Sequence, residues 1–381
     1  MSSSSPVLVV FSGGGTGGHL YPAMALADAL VALRPDVHPF FVGASRGVEA
    51  DILPRRGADH VLLPVEGFAR GRGLAALGAL PRLGASLMQV AELFQRLRPQ
   101  AVVVTGGYAG GPAGIVAGMQ RVPLVLQEQN AVPGVTTRLL SRWARQIHVA
   151  FPEAADRIPA VARGKVRISG NPIRELQAVD GHQARVAFGL PAEGLVVLVV
   201  GGSQGSVALN RTVLDALEGV ARGDFRRPES LCVLWSTGPR HHPQVADALA
   251  GLGSPAWVRA VPYIHDMEAA LAVADLAVSR AGAMATAELL NHGVPAILVP
   301  LPTAAADHQT RNALALAAAG AAVVAPEDGL SGGALWRQVE RLAGDEDTRA
   351  AMADAARSRA HPHAAREIAG EIAHLLPRRA A

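Results

Sequence analysis

Thiols and amines are nearly missing from this chain: among 381 residues it has a single cysteine, Cys232, and a single lysine, Lys165. One thiol excludes an intrachain disulfide and any structural zinc centre built on several thiolates. Positive charge is carried almost wholly by arginine and the formal net charge is only +3, which gives little support to a nucleic-acid-binding protein. Long hydrophobic runs are absent too. The longest candidate, 313–325, is broken by Gly320 and stopped by Pro326, well short of the ~20 apolar residues that a spanning helix needs. Residues 1–6 contain no basic side chain, and the apolar run after them is strand-length, too short for a signal-peptide core. These absences predict a cytoplasmic protein that does not span the membrane.

What is present is a globular composition, 50% hydrophobic and 18% charged, in a chain long enough for two domains with separate cores. Short β-branched runs at 7–11, 39–42, 60–65, 101–105, 124–127, 147–151 and 166–169 alternate with helix-like segments. The pattern restarts at 195–200 and continues at 231–236, 257–261, 275–279, 296–300 and 321–324. Alternation of this kind predicts an α/β fold: two Rossmann-like domains with parallel sheets, facing each other across a cleft. The expected domains are 6–169, 170–361 and a basic helical tail, 362–381, packing back on the first. Gly170-Asn171-Pro172 marks the boundary, because proline interrupts the rhythm.

Ligands of such sheets sit at the carboxyl ends of strands, so the polar clusters there carry the argument. The first is Ser12-Gly13-Gly14-Gly15-Thr16-Gly17-Gly18-His19. Gly13, Gly15 and Gly18 fit G-x-G-x-x-G, and backbone N–H groups at a helix start suit an anion. No acid follows the second strand, where Gly43-Ala44-Ser45-Arg46 stands, so the ribose anchor of a nicotinamide site is missing. No G-K-[ST] follows the glycines, so a P-loop fails as well. A sugar loop, a diphosphate loop and a plain tight turn stay open. His19 is either a hydrogen-bonding cap or a base poised near neutral pH.

Thr105-Gly106-Gly107-Tyr108 opens a second glycine loop, in which Tyr108 is a ligand-facing ring or one packed under the loop. Gln127-Glu128-Gln129-Asn130 gathers polar groups suited to hydroxyl-rich ligands, or else a solvated loop. In the second half, Gly202-Ser203-Gln204-Gly205-Ser206 is another phosphate cradle; Arg280-Ala281-Gly282-Ala283 opens a helix carrying Glu288, and Asp307-His308-Gln309 opens the next. Segment 67–88 interleaves Arg70, Arg72 and Arg82 with Leu74, Leu77, Leu80, Leu83 and Leu87. That stripe fits either an anionic bilayer surface or a core-facing helix.

Taken together and in order, these clusters, with Gly170-Asn171-Pro172-Ile173-Arg174 and Asn312, resemble the family 28 glycosyltransferases of the GT-B fold. The resemblance implies an inverting transferase that moves N-acetylglucosamine from UDP-N-acetylglucosamine to an undecaprenyl-diphospho-muramoylpentapeptide. It implies uracil near Ile264 and Met267, ribose on Glu288, the donor diphosphate on Ser203, Gln204 and Gly205 near Arg174, and the sugar near Ala283, Gln309 and Asn130. Arg280 and Gly282 belong to the same donor site. His19 is the favoured general base, Glu128 the second, with Tyr108 beside them. Gly14, Gly15, Thr16, Gly17, Gly18, Gly106 and Gly107 are expected to hold the acceptor diphosphate. Arg70, Arg72, Leu74, Leu77 and Arg82 are expected at the cytoplasmic face of the membrane, contacted peripherally. Neither a cofactor nor a metal is expected. Where the family often has serine beside the loop arginine, this chain has Ala281. The rival readings are a GT-B transferase with another lipid or small-molecule acceptor, a UDP-N-acetylglucosamine epimerase, and a nucleotide-sugar-binding module without catalysis.

Overall fold

A computed structural model describes residues 6–65, 79–175 and 177–378. The expectations at Arg70, Arg72, Leu74 and Leu77 lie outside the described residues. The chain divides into two units, Met1–Glu175 with His363–Ala381, and Leu176–Pro362.

Among the described residues, seven strands build the first unit: β1 (Val7–Gly13), β2 (Val37–Ala44), β3 (His60–Leu63), β4 (Ala101–Gly106), β5 (Leu124–Glu128), β6 (Gln146–Val149) and β7 (Val166–Ile168). Its helices are α1 (Gly17–Leu33), α2 (Glu49–Arg55), α3 (Ala79–Leu97), α4 (Gly110–Gln120), α5 (Val135–Leu140) and α6 (Pro152–Ala155). The strand order is β3-β2-β1-β4-β5-β6-β7, every pairing parallel. Helices on both faces explain why Val9, Val10, Phe11, Val102, Val103 and Val104 form unbroken apolar runs: each is buried whichever way it points. Strand β6 ends earlier than the 147–151 run suggested, because Phe151 caps α6 and Pro152 fills its first position.

The second unit holds β8 (Val196–Val200), β9 (Cys232–Ser236), β10 (Val258–Val261), β11 (Leu276–Ser279), β12 (Ala296–Leu298) and β13 (Ala322–Val324). Around them lie α7 (Gly181–Phe188), α8 (Val207–Arg222), α9 (His242–Gly251), α10 (Met267–Ala272), α11 (Ala283–His292), α12 (His308–Ala318), α13 (Gly332–Ala343) and α14 (Glu346–Ser358). The sheet runs β10-β9-β8-β11-β12-β13, again all parallel.

After the second unit the chain returns as α15 (Ala364–Ala373). Ile368, Ala369, Ile372 and Leu376 join Phe11, Leu20, Leu26 and Leu30 in one buried cluster against α1. The division between units falls after Glu175 rather than at Gly170. A physical reason is visible in Asn171, whose side chain donates to Gln129 O (3.1 Å) and accepts from Gln127 Nε2 (3.2 Å), tying 170–171 to β5. In α3, Val90, Leu93 and Phe94 are buried and Leu87 packs beside them, while Arg82 and Met88 are exposed. Among the described residues no helix is long and apolar enough to cross a membrane.

Candidate functional site

Each sheet reverses its strand order once, between β1 and β4 in the first unit and between β8 and β11 in the second. The carboxyl ends of those strands are where parallel sheets bind ligands. All four carry glycine loops.

In the first unit, Thr16 caps α1 with an extended backbone, and its Oγ1 lies 3.1 Å from His19 Nδ1. Thr105, at the end of β4, donates from Oγ1 to His19 O at 2.7 Å. The imidazole rests against Gly106 and Gly107, with φ of +99° and +72°. A Cβ on Gly106 would stand 3.0 Å from His19 Cδ2, so these left-handed residues make the seat of the ring. The Tyr108 ring packs onto Gly15, where an added Cβ would stand 2.5 Å from Tyr108 Cε1. His19, Thr16, Gly106, Gly107 and Tyr108 are therefore brought together. Thr16 and Gly18 are exposed, and Gly14 is buried. The N–H of Gly15 points inward to Glu49 at 3.0 Å, so it is not aimed at a ligand.

The polar run after β5 turns inward. Gln127, Glu128 and Gln129 are buried. Glu128 Oε2 accepts from Gly134 N (2.9 Å) and Thr137 Oγ1 (2.6 Å), and its Oε1 accepts from Asn130 N (3.2 Å) and Nδ2 (3.3 Å). Gln129 Nε2 donates to Thr105 O at 2.7 Å. These side chains link the ends of β4 and β5, and only Asn130 is half-exposed. Arg174 is exposed and lies in the first unit.

In the second unit, Gly202, Ser203 and Gln204 are exposed, and Ser206 caps α8 by accepting from Leu209 N at 3.2 Å. The loop thus presents the start of a long helix, whose backbone donors favour phosphate. Arg280 follows β11 but does not reach outward. It is buried, donates from Nη1 to Val299 O (3.1 Å) and Pro300 O (3.2 Å), and from Nη2 to Ser206 Oγ (2.5 Å) and Glu327. Ala281 is fully buried, and Asn312 Nδ2 donates to its carbonyl at 3.1 Å. Gln309 Oε1 accepts from Leu301 N at 3.0 Å.

Glu288, on α11 beyond Gly282 and Ala283, is half-buried, and its carboxylate has no polar partner among the described residues. Burial pushes its carboxyl up to about 7. Ile264 is buried between the exposed Tyr263 and His265, whose rings meet edge to face at 5.0 Å, and Met267 opens α10.

Among the described residues no three His, Cys, Asp or Glu side chains are grouped to hold a metal. The D-x-D triplet of the chain, Asp345-Glu346-Asp347, is a helix start: Asp345 accepts from Thr348 N (2.9 Å) and Oγ1 (2.7 Å). Residues that pattern reading missed are Glu49 and Glu327, both bracing loops from elements that follow a different strand.

A separate surface joins α4 and α5. Met119, Leu139 and Trp143 are exposed, Trp143 packs on Gly118, and the Arg142 guanidinium stands 4.4 Å over the Trp143 ring. Arg121, Arg138 and Arg145 are exposed beside them in sequence.

Residues 9–149 match the Glycosyltransferase family 28 N-terminal domain, and residues 196–368 match the Glycosyltransferase family 28 C-terminal domain. A protein of Salinibacter ruber, named UDP-N-acetylglucosamine–N-acetylmuramyl-(pentapeptide) pyrophosphoryl-undecaprenol N-acetylglucosamine transferase, is 43% identical over 99% of each chain. A protein of Moorella thermoacetica with the same name is 41% identical over 94% of this chain and 96% of its own. Among solved structures, MurG of Acinetobacter baumannii is similar with a TM-score of 0.76, at 28% identity, over 97% of this chain and 100% of that one.

Proposed function

The chain belongs to glycosyltransferase family 28, and from that premise we infer that it transfers N-acetylglucosamine from UDP-N-acetylglucosamine to the muramoyl 4-hydroxyl of an undecaprenyl-diphospho-muramoylpentapeptide. The observation that carries this reading is identity of 43% across both units with a relative named for that reaction. The donor belongs to the second unit. Glu288, without a polar side-chain partner among the described residues, is suited to a ribose diol, and the loop at the start of α8, exposed at Ser203 and Gln204, suits a diphosphate. Ile264 and Met267 take the uracil, Ala283 and Gln309 the sugar. Arg280 acts from behind, bracing the loop rather than touching the donor, and Gly282 caps α11 without a side chain in the way.

His19 accepts the proton of the attacking hydroxyl. The new bond forms at the anomeric carbon as the bond to UDP breaks, and its electron pair leaves on the diphosphate, so the α-linked donor gives a β product. Each backbone donor aimed at that developing charge contributes on the order of 3 kcal/mol. Glu128 is the weaker candidate for the base, since N–H and O–H donors already occupy both of its oxygens. Acceptor phosphates are taken by the start of α1 at Thr16, Gly17 and Gly18, of which Thr16 and Gly18 are exposed, near Gly106 and Gly107; Gly14 and Gly15 shape this loop. The exposed Met119, Leu139 and Trp143 among arginines, together with Arg82, support a peripheral contact with an anionic membrane.

The test is donor turnover by the purified chain with and without the lipid-linked muramoylpentapeptide in vesicles. UDP release and disaccharide formation are expected only with acceptor. Conversion of the donor alone, to UDP-N-acetylmannosamine or to free sugar, would overturn the reading.

A further inference from the structure

We propose that Glu49 is a positioning residue for the acceptor-side chemistry, fixing the seat of the His19 imidazole through the Gly14–Gly15 peptide. This rests on the reading of His19 as the base. Glu49 opens α2 and is fully buried. Its carboxylate is met by backbone N–H groups: Oε1 accepts from Ala44 N at 2.8 Å, and both oxygens accept from Gly15 N at 3.0 Å. Three glycines wall the carboxyl. A Cβ on Gly14 would stand 2.0 Å from Oε1, one on Gly47 2.3 Å from Oε2, and one on Gly43 2.5 Å from Cγ. The cradle is shaped for this side chain and admits no other group at those points.

The opposite side of the same peptide faces the second glycine loop. A Cβ on Gly107 would lie 2.1 Å from Gly14 O and 3.2 Å from His19 Nδ1. One peptide plane therefore has its N–H held by Glu49 and its carbonyl pressed against the residue that backs the imidazole. Fixing the N–H fixes the carbonyl, because the peptide rotates as a unit. Loss of the carboxylate would let the plane turn, and Gly107 and the ring would lose their backing.

The Glu49→Gln variant keeps the shape and removes one acceptor. The amide oxygen keeps the Oε1 place on Ala44 N, while the NH2 takes the Oε2 place and sets a donor against the Gly15 N–H, which loosens the hold on that peptide. In the full-length chain, kcat is expected to fall ~10- to 100-fold, as for a reacting group displaced by about an ångström. KM for UDP-N-acetylglucosamine is expected to stay within roughly twofold. Exchange of the Gly15 amide hydrogen, followed by mass spectrometry or NMR, is expected to accelerate. Gly47→Ala displaces the carboxylate from outside the loop and is expected to reproduce the kcat loss, so misfolding of one variant leaves the other decisive.

Wild-type kcat in both variants, with His19→Ala inactive, would overturn the role of Glu49 alone. A rise in donor KM matching the fall in kcat would reduce Glu49 to general structure and equally overturn it. An active His19→Ala would instead sink the assignment of the base.

Discussion

Glu288 has a carboxyl pushed up to about 7 by burial from an ordinary 4.5. Between those two values the folded protein holds a proton that the unfolded chain has released, so the ligand-free protein loses stability as pH rises through this window. Ribose hydroxyls donate to the ionised form and draw the pKa back down. UDP-N-acetylglucosamine binding is therefore expected to release a proton below pH 7 and to tighten as pH rises toward that value. Calorimetry in buffers of different ionisation enthalpy measures the release, and Glu288→Gln is expected to abolish it. His19 is tested differently. Its replacement by alanine is expected to lower turnover by roughly 100-fold, with little change in UDP affinity; steady-state kinetics beside equilibrium binding separates the two.

At the scale of elements, the donor loop depends on an arginine that never reaches the ligand. Arg280 joins the cap of α8 to the carbonyls after β12 and to Glu327 after β13. Arg280 is buried and Glu327 only half-buried, so removing the guanidinium costs less than the ~3 kcal/mol of a fully buried pair. Arg280→Met is thus expected to lower the melting temperature and weaken UDP-N-acetylglucosamine binding together, read by thermal unfolding with and without donor. The surface at the ends of α4 and α5, with Arg82 on α3, makes a second expectation. Exchanging Arg82, Arg138 and Arg142 for glutamate is expected to reduce sedimentation with anionic vesicles while donor binding stays intact.

Elements were readable because β-branched runs, glycine loops and amphipathic segments are local signals; His19 directly follows one such loop, and Glu288 lies inside the helix that follows another. Direction of a side chain is not local. Glu128 and Arg280 have the residue types of ligand contacts, but Glu128 is consumed by Asn130, Gly134 and Thr137 after its own strand, and Arg280 by Ser206 and the carbonyls after β12. Glu49 reads as a solvated helix acid until the β1–β2 register, Phe11 beside Phe41, brings the loops after both strands side by side. The acid missing directly after β2 arrives a few residues later and holds the glycine loop itself.

The whole molecule is not two units strung in a row. The chain leaves the first, completes the second, and comes back as α15 to cover α1. Ile368 and Ile372 are fully buried there, each worth about 2 kcal/mol against a net domain stability of ~5–15 kcal/mol. Ile368→Asp places an unpaired charge in that cluster and is expected to unfold the first unit. Donor binding in the second unit is expected to survive, so calorimetric unfolding with added UDP-N-acetylglucosamine resolves one event from the other.

The return of α15 also sets a timetable. A ribosome releases α15 only after the entire second unit, so the first sheet, although made first, waits with its α1 face uncovered until that unit has been made. The half encoded later can close its core earlier. During that interval Leu20, Leu26 and Leu30 are the surface a chaperone would find.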